Sequence, residues 1–265
     1  MRSNMIKQQL IRLSKRWQGW LALAIGFAII FLQARTISSA NAHFINSAYV
    51  HLTGFDYTGL GSRSYYVILP LTAALSAGST IAEDKKQHFR EMQLSRFPLN
   101  KYFASCSASS FIFAGLIAIL PLICEGIFFF SQYSLAPLSR KYELTPINPG
   151  GWSADLFYTH PIVFWLLGLL IVFIFAGLLS QLSLIASAFG LRNGLEVIVP
   201  FAITLTSSIL RDFSGFEPLS IPSIITPTFS NEYPFTVFGL IVYPILIIAI
   251  VWGSLLIKER NDVLD

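Results

Sequence analysis

Apolar residues arrive in six long runs, at about residues 18–32, 65–81, 104–130, 161–189, 195–210 and 235–257, with polar connectors between them. A helix that crosses the hydrocarbon core of a bilayer needs about 20 such residues. The pattern therefore predicts one all-α domain over residues 1–265 with six membrane spans. The second and fifth runs are short and carry Pro70 and Pro200, which predicts kinked or incompletely crossing helices there. The fourth is long enough to tilt or to project beyond the bilayer.

Two shorter patterns stand between the runs. Ile6, Leu10, Leu13 and Trp17 recur at i, i+4, i+7 and i+11, while Lys7, Arg12, Lys15 and Arg16 take much of the remaining surface. That spacing is one apolar face of a helix over residues 1–17. It reads as an interfacial helix with its cations beside anionic headgroups, or as a basic topology signal that happens to be helical. The second pattern is the stretch Glu83–Tyr102, EDKKQHFREMQLSRFPLNKY, the most charged part of the chain. Asp84 is placed to cap a helix and Pro98 to end it. The predicted helix, over 84–98, has Phe89, Met92 and Phe97 on one side and Arg90, Glu91 and Arg96 around them. So short a helix cannot bury its apolar side alone. Glu83, Asp84 and Glu91 would be repelled by an anionic lipid surface, which points to a groove on a protein partner.

Composition sharpens this picture. Of the 265 residues, 54% are hydrophobic and only 12% are charged, against about a quarter charged in a soluble domain. A polytopic membrane protein is expected. Thirteen of the 18 Lys and Arg residues fall on the side of the spans that holds the N-terminus, and five on the other. The positive-inside bias then puts both termini and the Glu83–Tyr102 loop in the cytoplasm. No basic patch stands away from the membrane edges, so nucleic acid is not an expected partner. Cys106 and Cys124 share one apolar run, which suggests neither a disulfide framework nor a metal cluster. Residues 1–16 are too polar for a cleavable signal, and the run after them reads as a retained first span.

With these elements the chain resembles the permease subunit of type-2 ATP-binding-cassette (ABC) exporters. Those proteins have an N-terminal interfacial helix, six spans with both ends inside, and a short coupling helix between spans two and three. Their first cytoplasmic loop runs from an acidic start through Gly-Thr and leucines to a proline and a later basic residue. Glu83 and Asp84, Phe89 and Met92, Pro98, and Lys101 fall on that pattern, whereas Gln87 and His88 stand in place of Gly-Thr. The resemblance implies ATPase coupling through Glu83, Asp84, Phe89, Arg90, Glu91, Met92, Arg96 and Pro98. It also implies ABC ATPase subunits as partners and a second permease subunit, identical or not, in a cell membrane of bacterial type with lipids around both. This chain has no G-x-x-x-x-G-K-[ST] phosphate loop, so ATP and magnesium would sit on the ATPase and no cofactor on this chain.

The outer side carries further candidates. Residues 211–234 hold Pro218, Pro222, Pro227 and Pro234 among apolar residues, too broken for a span and too oily for a solvated loop. A re-entrant segment, or a rigid loop with exposed aliphatics, fits this composition. Ile221, Ile224 and Ile225 are its candidate gate residues, expected to pack against the span tops. Connectors 33–64 and 131–160 are long and aromatic, as for a small external cap. Glu125 is a carboxylate inside an apolar run. It either snorkels to outer water or lines a translocation path that attracts a cationic substrate. Ala176, Ser180, Ser183 and Ser187 are small residues that let helices approach closely.

Aromatic outer connectors and sparsely charged spans suit a hydrophobic or amphipathic cargo, a peptide, lipid or drug, leaving the cytoplasm. The loop with its final Lys-Tyr resembles small permeases found beside bacteriocin-like peptide export or immunity systems. An ion-coupled secondary transporter and an intramembrane enzyme are the alternative classes. The transporter would show internal repeats and several buried ionisable groups. The enzyme would need a catalytic group in the spans, whereas His43, His51, His88 and His160 lie in connectors, leaving an outer-face site at His43 and His51 open.

Overall fold

The computed structural model describes residues 2–37, 47–55, 59–87, 89–95, 98–137, 154–190, 194–216, 219–226 and 235–264. Its helices, in chain order, are α1 (Arg2–Ser14), α2 (Trp17–Thr36), α3 (Leu60–Ala77), α4 (Thr80–Lys86), α5 (Phe89–Leu94), α6 (Leu99–Gln132), α7 (Ala154–Thr159), α8 (Pro161–Ala188), α9 (Leu195–Ser214), α10 (Ile221–Ile225) and α11 (Phe235–Leu264). Six of these paths are long and apolar enough to cross a membrane: α2, α3 with α4, α6, α8, α9 and α11. The chain is a multi-pass membrane protein of all-α class.

Neither proline shortens its span. The second path runs Ser64–Lys86 and the fifth Leu195–Ser214, 23 and 20 residues, each long enough to cross, with Pro70 and Pro200 inside continuous helices. Proline removes one hydrogen-bond rung, and packed neighbours hold the helix through the gap. Pro161 sits at the start of α8, where its missing N–H costs nothing. Gly194 (φ 88°) and Gly215 (φ 68°) bracket α9 in the left-handed conformation that glycine adopts freely. At 34 residues, α6 measures about 51 Å, well beyond a hydrocarbon core of about 30 Å. Its two ends therefore project into the polar layers at both faces.

Helices α3 and α8 lie at the centre. α3 touches α2, α6, α8 and α9, and α8 touches α3, α6, α9 and α11. Between them Leu69, Ala73, Ala77, Ala114, Ala118, Val172, Phe175 and Ala176 form one continuous core. α6 and α8 interlock reciprocally: Phe173 fills the space over Gly115, and Phe111 fills the space over Gly177. Small residues thus admit large ones, which is how membrane helices pack when lipid is as apolar as leucine. Helix α9 is 11% buried over its span, against 67% for the second path, so α9 is peripheral and its apolar side faces outward.

The end that carries α1, α4 and α5 is the charged end. Val251 of α11 packs with Leu182 and Ile185 near the end of α8, so the last helix runs back toward the end where the chain starts. At the opposite end the turn Ala48–Val50, residues 51–55 and α7 join into a small cap, whose core is Tyr49, Leu52, Phe55, Phe129, Phe157 and Phe164. Ala48 N–H donates to the Ser134 carbonyl at 2.9 Å, tying the two outer connectors together. Residues 38–46 and 138–153 of those connectors lie outside the described residues.

Candidate functional site

The charged end is organised by one carboxylate. The Asp84 side chain, on α4, has no exposed surface, and Arg12 of α1 reaches its Oδ1 from Nη2 at 2.5 Å. The Tyr102 hydroxyl, on the first turn of α6, donates to Oδ2 at 2.8 Å. Beside it, Glu83 takes Arg16 Nε at 3.1 Å and Gln18 Nε2 at 2.9 Å. Arg12 also donates to Gln9 Oε1 at 3.1 Å, and its guanidinium carbon stands 3.8 Å over the centre of the Phe89 ring. Two arginines, Arg12 on α1 and Arg16 in the joint before α2, thus fasten the chain's first turn-and-helix segment to α4, and Arg12 continues the fastening to α5. Such pairs gain from low dielectric only when hydrogen bonds complete the geometry: Tyr102 bonds Asp84, Gln9 bonds Arg12 and Gln18 bonds Glu83, whereas Arg16 Nη1 is buried without a partner among the described residues. Burial pulls the Arg16 guanidinium pKa below its ordinary value, against Glu83 and Asp84, which raise it.

Helix α4 is rooted in α8 as well. A Cβ at Gly78, in the joint between α3 and α4, would overlap the Ser183 hydroxyl, and Ala82 N–H donates to Ser187 Oγ at 2.8 Å. Two of the small residues singled out in the fourth run therefore seat the elbow. From this root α5 projects. Leu94 turns inward against Ile81, Tyr102, Phe103 and Leu184, whereas Glu91 is exposed and Met92 is 58% exposed.

The expected helix over 84–98 is corrected in three respects. Asp84 is no cap: it lies inside Thr80–Lys86, facing inward to Arg12. The separate helix is the six residues of Phe89–Leu94. Pro98 does not end it but is the exposed N-cap residue of α6, with extended backbone that opens the next helix. The cause is charge pairing at long range, which turns the acidic start inward where a local pattern would cap. Phe89 lies under Arg12 and positions α5 rather than facing a partner. Of the anticipated anchors Met92 alone faces outward among the described residues; Arg96, Phe97 and the Arg90 side chain lie outside them.

Helix α1 buries Gln9 and Leu13 and leaves Trp17 66% exposed at the start of α2. The expected apolar stripe is thus rotated toward Gln9 and Arg12, because the inward groups that decide its orientation are polar ones with partners on α4 and α6. These partners were missed in the sequence. The signal was the matched pair of charges, Arg12 and Arg16 one turn apart against Glu83 and Asp84.

At the opposite end Glu125 is 4% exposed. Its Oε1 accepts the Thr53 hydroxyl at 2.6 Å, and both its oxygens lie 3.1 Å from Thr53 N–H. Glu125 is buried against Thr53 and fastens the cap to α6, so its carboxylate is satisfied within the chain rather than by water. Packing decides this, since the 47–55 connector folds over the helix and supplies donors nearer than water. His51 packs beside Phe129 and Tyr133, ring centres at 5.6 and 4.1 Å, and His43 lies outside the described residues.

Ile221, Ile224 and Ile225 are buried, 3%, 5% and 3% exposed, and α10 touches α3, α8, α9 and α11. Arg211 Nη1 donates to Ser223 Oγ at 2.6 Å, and the Tyr243 hydroxyl donates to the Leu219 carbonyl at 2.8 Å. Gly239 lets Ile224 approach α11. The segment is packed among the span tops as expected, while residues 227–234 lie outside the described residues. The sequence reading also passed over Glu196, which is 3% exposed in the first turn of α9, where its Oε2 accepts Gly194 N–H at 3.1 Å. Compared with known proteins, the chain matches no family model, no curated protein and no solved structure.

Proposed function

We propose that this chain is the permease subunit of an ATP-driven exporter of the type-2 ABC kind, working as a pair of permease subunits with separate ATPase subunits. The cargo is hydrophobic or amphipathic, a peptide, lipid or drug, and it leaves the cytoplasm across the cell membrane of a bacterium. One observation carries the reading: a short helix, α5, stands out from the charged end with Met92 exposed, while its root is locked to α1, α6 and α8. A lever that transmits force needs a rigid root and an exposed tip. Buried charge pairs with completed hydrogen bonds supply the first, and Met92 supplies an apolar anchor for a groove on the partner. The Lys and Arg bias places this end in the cytoplasm, where ATP is.

Copurification of the tagged full chain from its own cells, with mass spectrometry of what comes with it, tests the reading. An ABC ATPase in the complex is the expected result, and recovery without any ATPase would overturn it. Met92→Ala is expected to weaken ATPase affinity by about 1–3 kcal/mol, roughly 5- to 150-fold in Kd, with the membrane part intact. Phe89→Ala acts through Arg12 and the seat of α5, so its effect should appear in coupling as much as in affinity.

The outer segment gives a second expectation. If α10 closes the outer end, replacing Ile224 and Ile225 by Ser removes the apolar burial that favours closure. ATPase association should persist while transport per ATP falls several-fold in reconstituted vesicles. Unchanged transport per ATP in the double variant would make α10 a structural plug.

A further inference from the structure

Helix α1 and the two residues that follow it have two faces with different partners. Gln9, Arg12, Leu13 and Arg16, at i, i+3, i+4 and i+7, turn inward to Cys106, Asp84, the core and Glu83. Lys7, Ile11 and Lys15, at i, i+4 and i+8, turn outward and are exposed, Ile11 by 46%. The outward side continues without a break into Trp17 and Trp20, exposed by 66% and 64% at the start of the first span. The Trp20 indole donates to the Ser14 carbonyl at 3.0 Å, holding the two helices to one surface. Cations interleaved with an aliphatic residue and two tryptophans, at the mouth of a membrane span, match the chemistry of a bilayer interface. Water satisfies the lysines but not Ile11 or the indole rings. A protein groove is disfavoured because this face is contiguous with a helix that must itself lie in lipid.

We propose that the outward face of α1 docks on an anionic bilayer surface, and that Arg12 passes this docking to Asp84 and Phe89, so that lipid charge sets how firmly α5 is held. Lys7, Ile11 and Arg12 share one helix of 13 residues, and Lys15 follows its last residue directly. Whatever pins Lys7 and Ile11 therefore limits the excursions of Arg12, and Arg12 is bonded to α4 and stacked on α5 at once. The inference rests on the docking role of α5 only for its consequence: it would make ATPase coupling sensitive to membrane composition.

The test needs no ATPase. Hydrogen exchange is followed on the full chain in nanodiscs of phosphatidylcholine and of phosphatidylcholine with phosphatidylglycerol. Amides of α1 and α5 are expected to exchange more slowly in the anionic discs, by about fivefold for each lysine engaged, the Boltzmann factor of one cation near such a surface. Lys7→Gln with Lys15→Gln, both at exposed positions that the core does not use, should abolish the difference in both helices. Asp84→Asn should leave the response of α1 and remove that of α5. Inorganic phosphate added to neutral discs should leave exchange unchanged; protection by phosphate would overturn the bilayer as the occupant. The proposal fails if wild-type α1 ignores lipid charge, if α5 does not follow α1, or if the lysine variant responds as the wild type does. Such a failure would leave the docking of an ATPase on α5 to stand or fall on copurification alone.

Discussion

Asp84→Ala is expected to destabilise the protein by about 3–5 kcal/mol, because truncating one partner of a buried pair leaves the other charge without compensation. Asp84 has no exposed surface, and its loss strands Arg12 Nη2 and the Tyr102 hydroxyl together. It also removes the shortest ion pair between α1 and α4 among the described residues. Glu83→Ala serves as the control. Glu83 is 24% exposed, and Arg16 keeps Asp84 Oδ1 at 3.8 Å when Glu83 is lost, so water and the second carboxylate offset much of the change and the expected cost is about 1–2 kcal/mol. Denaturation of both variants in bicelles checks the contrast. Equal losses would mean that the acidic pair acts as a diffuse charge rather than through the Arg12–Asp84–Tyr102 geometry. Exchange of Arg12 for Met and of Asp84 for Val should recover part of the stability, since a packed apolar pair avoids the desolvation cost while the Tyr102 hydroxyl loses its acceptor. It would not restore the hold on Phe89, so stability and the seating of α5 should separate in this variant.

Glu125→Ala is expected to cost about 2–3 kcal/mol, because Thr53 then keeps a buried N–H and a buried hydroxyl without an acceptor. The loss should be local. Amides of residues 47–55 should gain exchange while those of α3 and α8 keep their protection, because the carboxylate joins the cap to α6 and does not join the spans to one another. Glu125→Gln retains an acceptor oxygen and should cost under about 1 kcal/mol. If Ala and Gln prove equally damaging, the negative charge itself matters. A translocation-path role for Glu125 would then return, in place of the fastening role argued from Thr53.

Much of the architecture was legible along the chain. The six spans follow from local composition, because a backbone in lipid must satisfy its own hydrogen bonds and a helix does so from consecutive apolar residues. Their starts follow from residues such as Pro161, and the outer isoleucines Ile221, Ile224 and Ile225 could be placed on the span tops because no polar surface would take them. The reach of α6 from Leu99 to Gln132 was not legible. Its first turns are built from Tyr102 and Phe103, which look like connector residues until a neighbouring element packs on them.

Both carboxylate sites lay further out of reach, for a single reason. Asp84 meets Arg12 across 72 positions of chain, and Glu125 meets Thr53 across 72 as well. Hydrophobic periodicity reports where a residue stands between lipid, water and its own helix. It carries no information about which distant element will supply a donor. Asp84 therefore read as a helix cap and Glu125 as a snorkelling or path-lining acid, each the best local option for a carboxylate. Folding overrode both, because a buried carboxylate without donors is far more costly than one with them. Only the packing of α1 on α4, and of the cap on α6, brought the donors within reach.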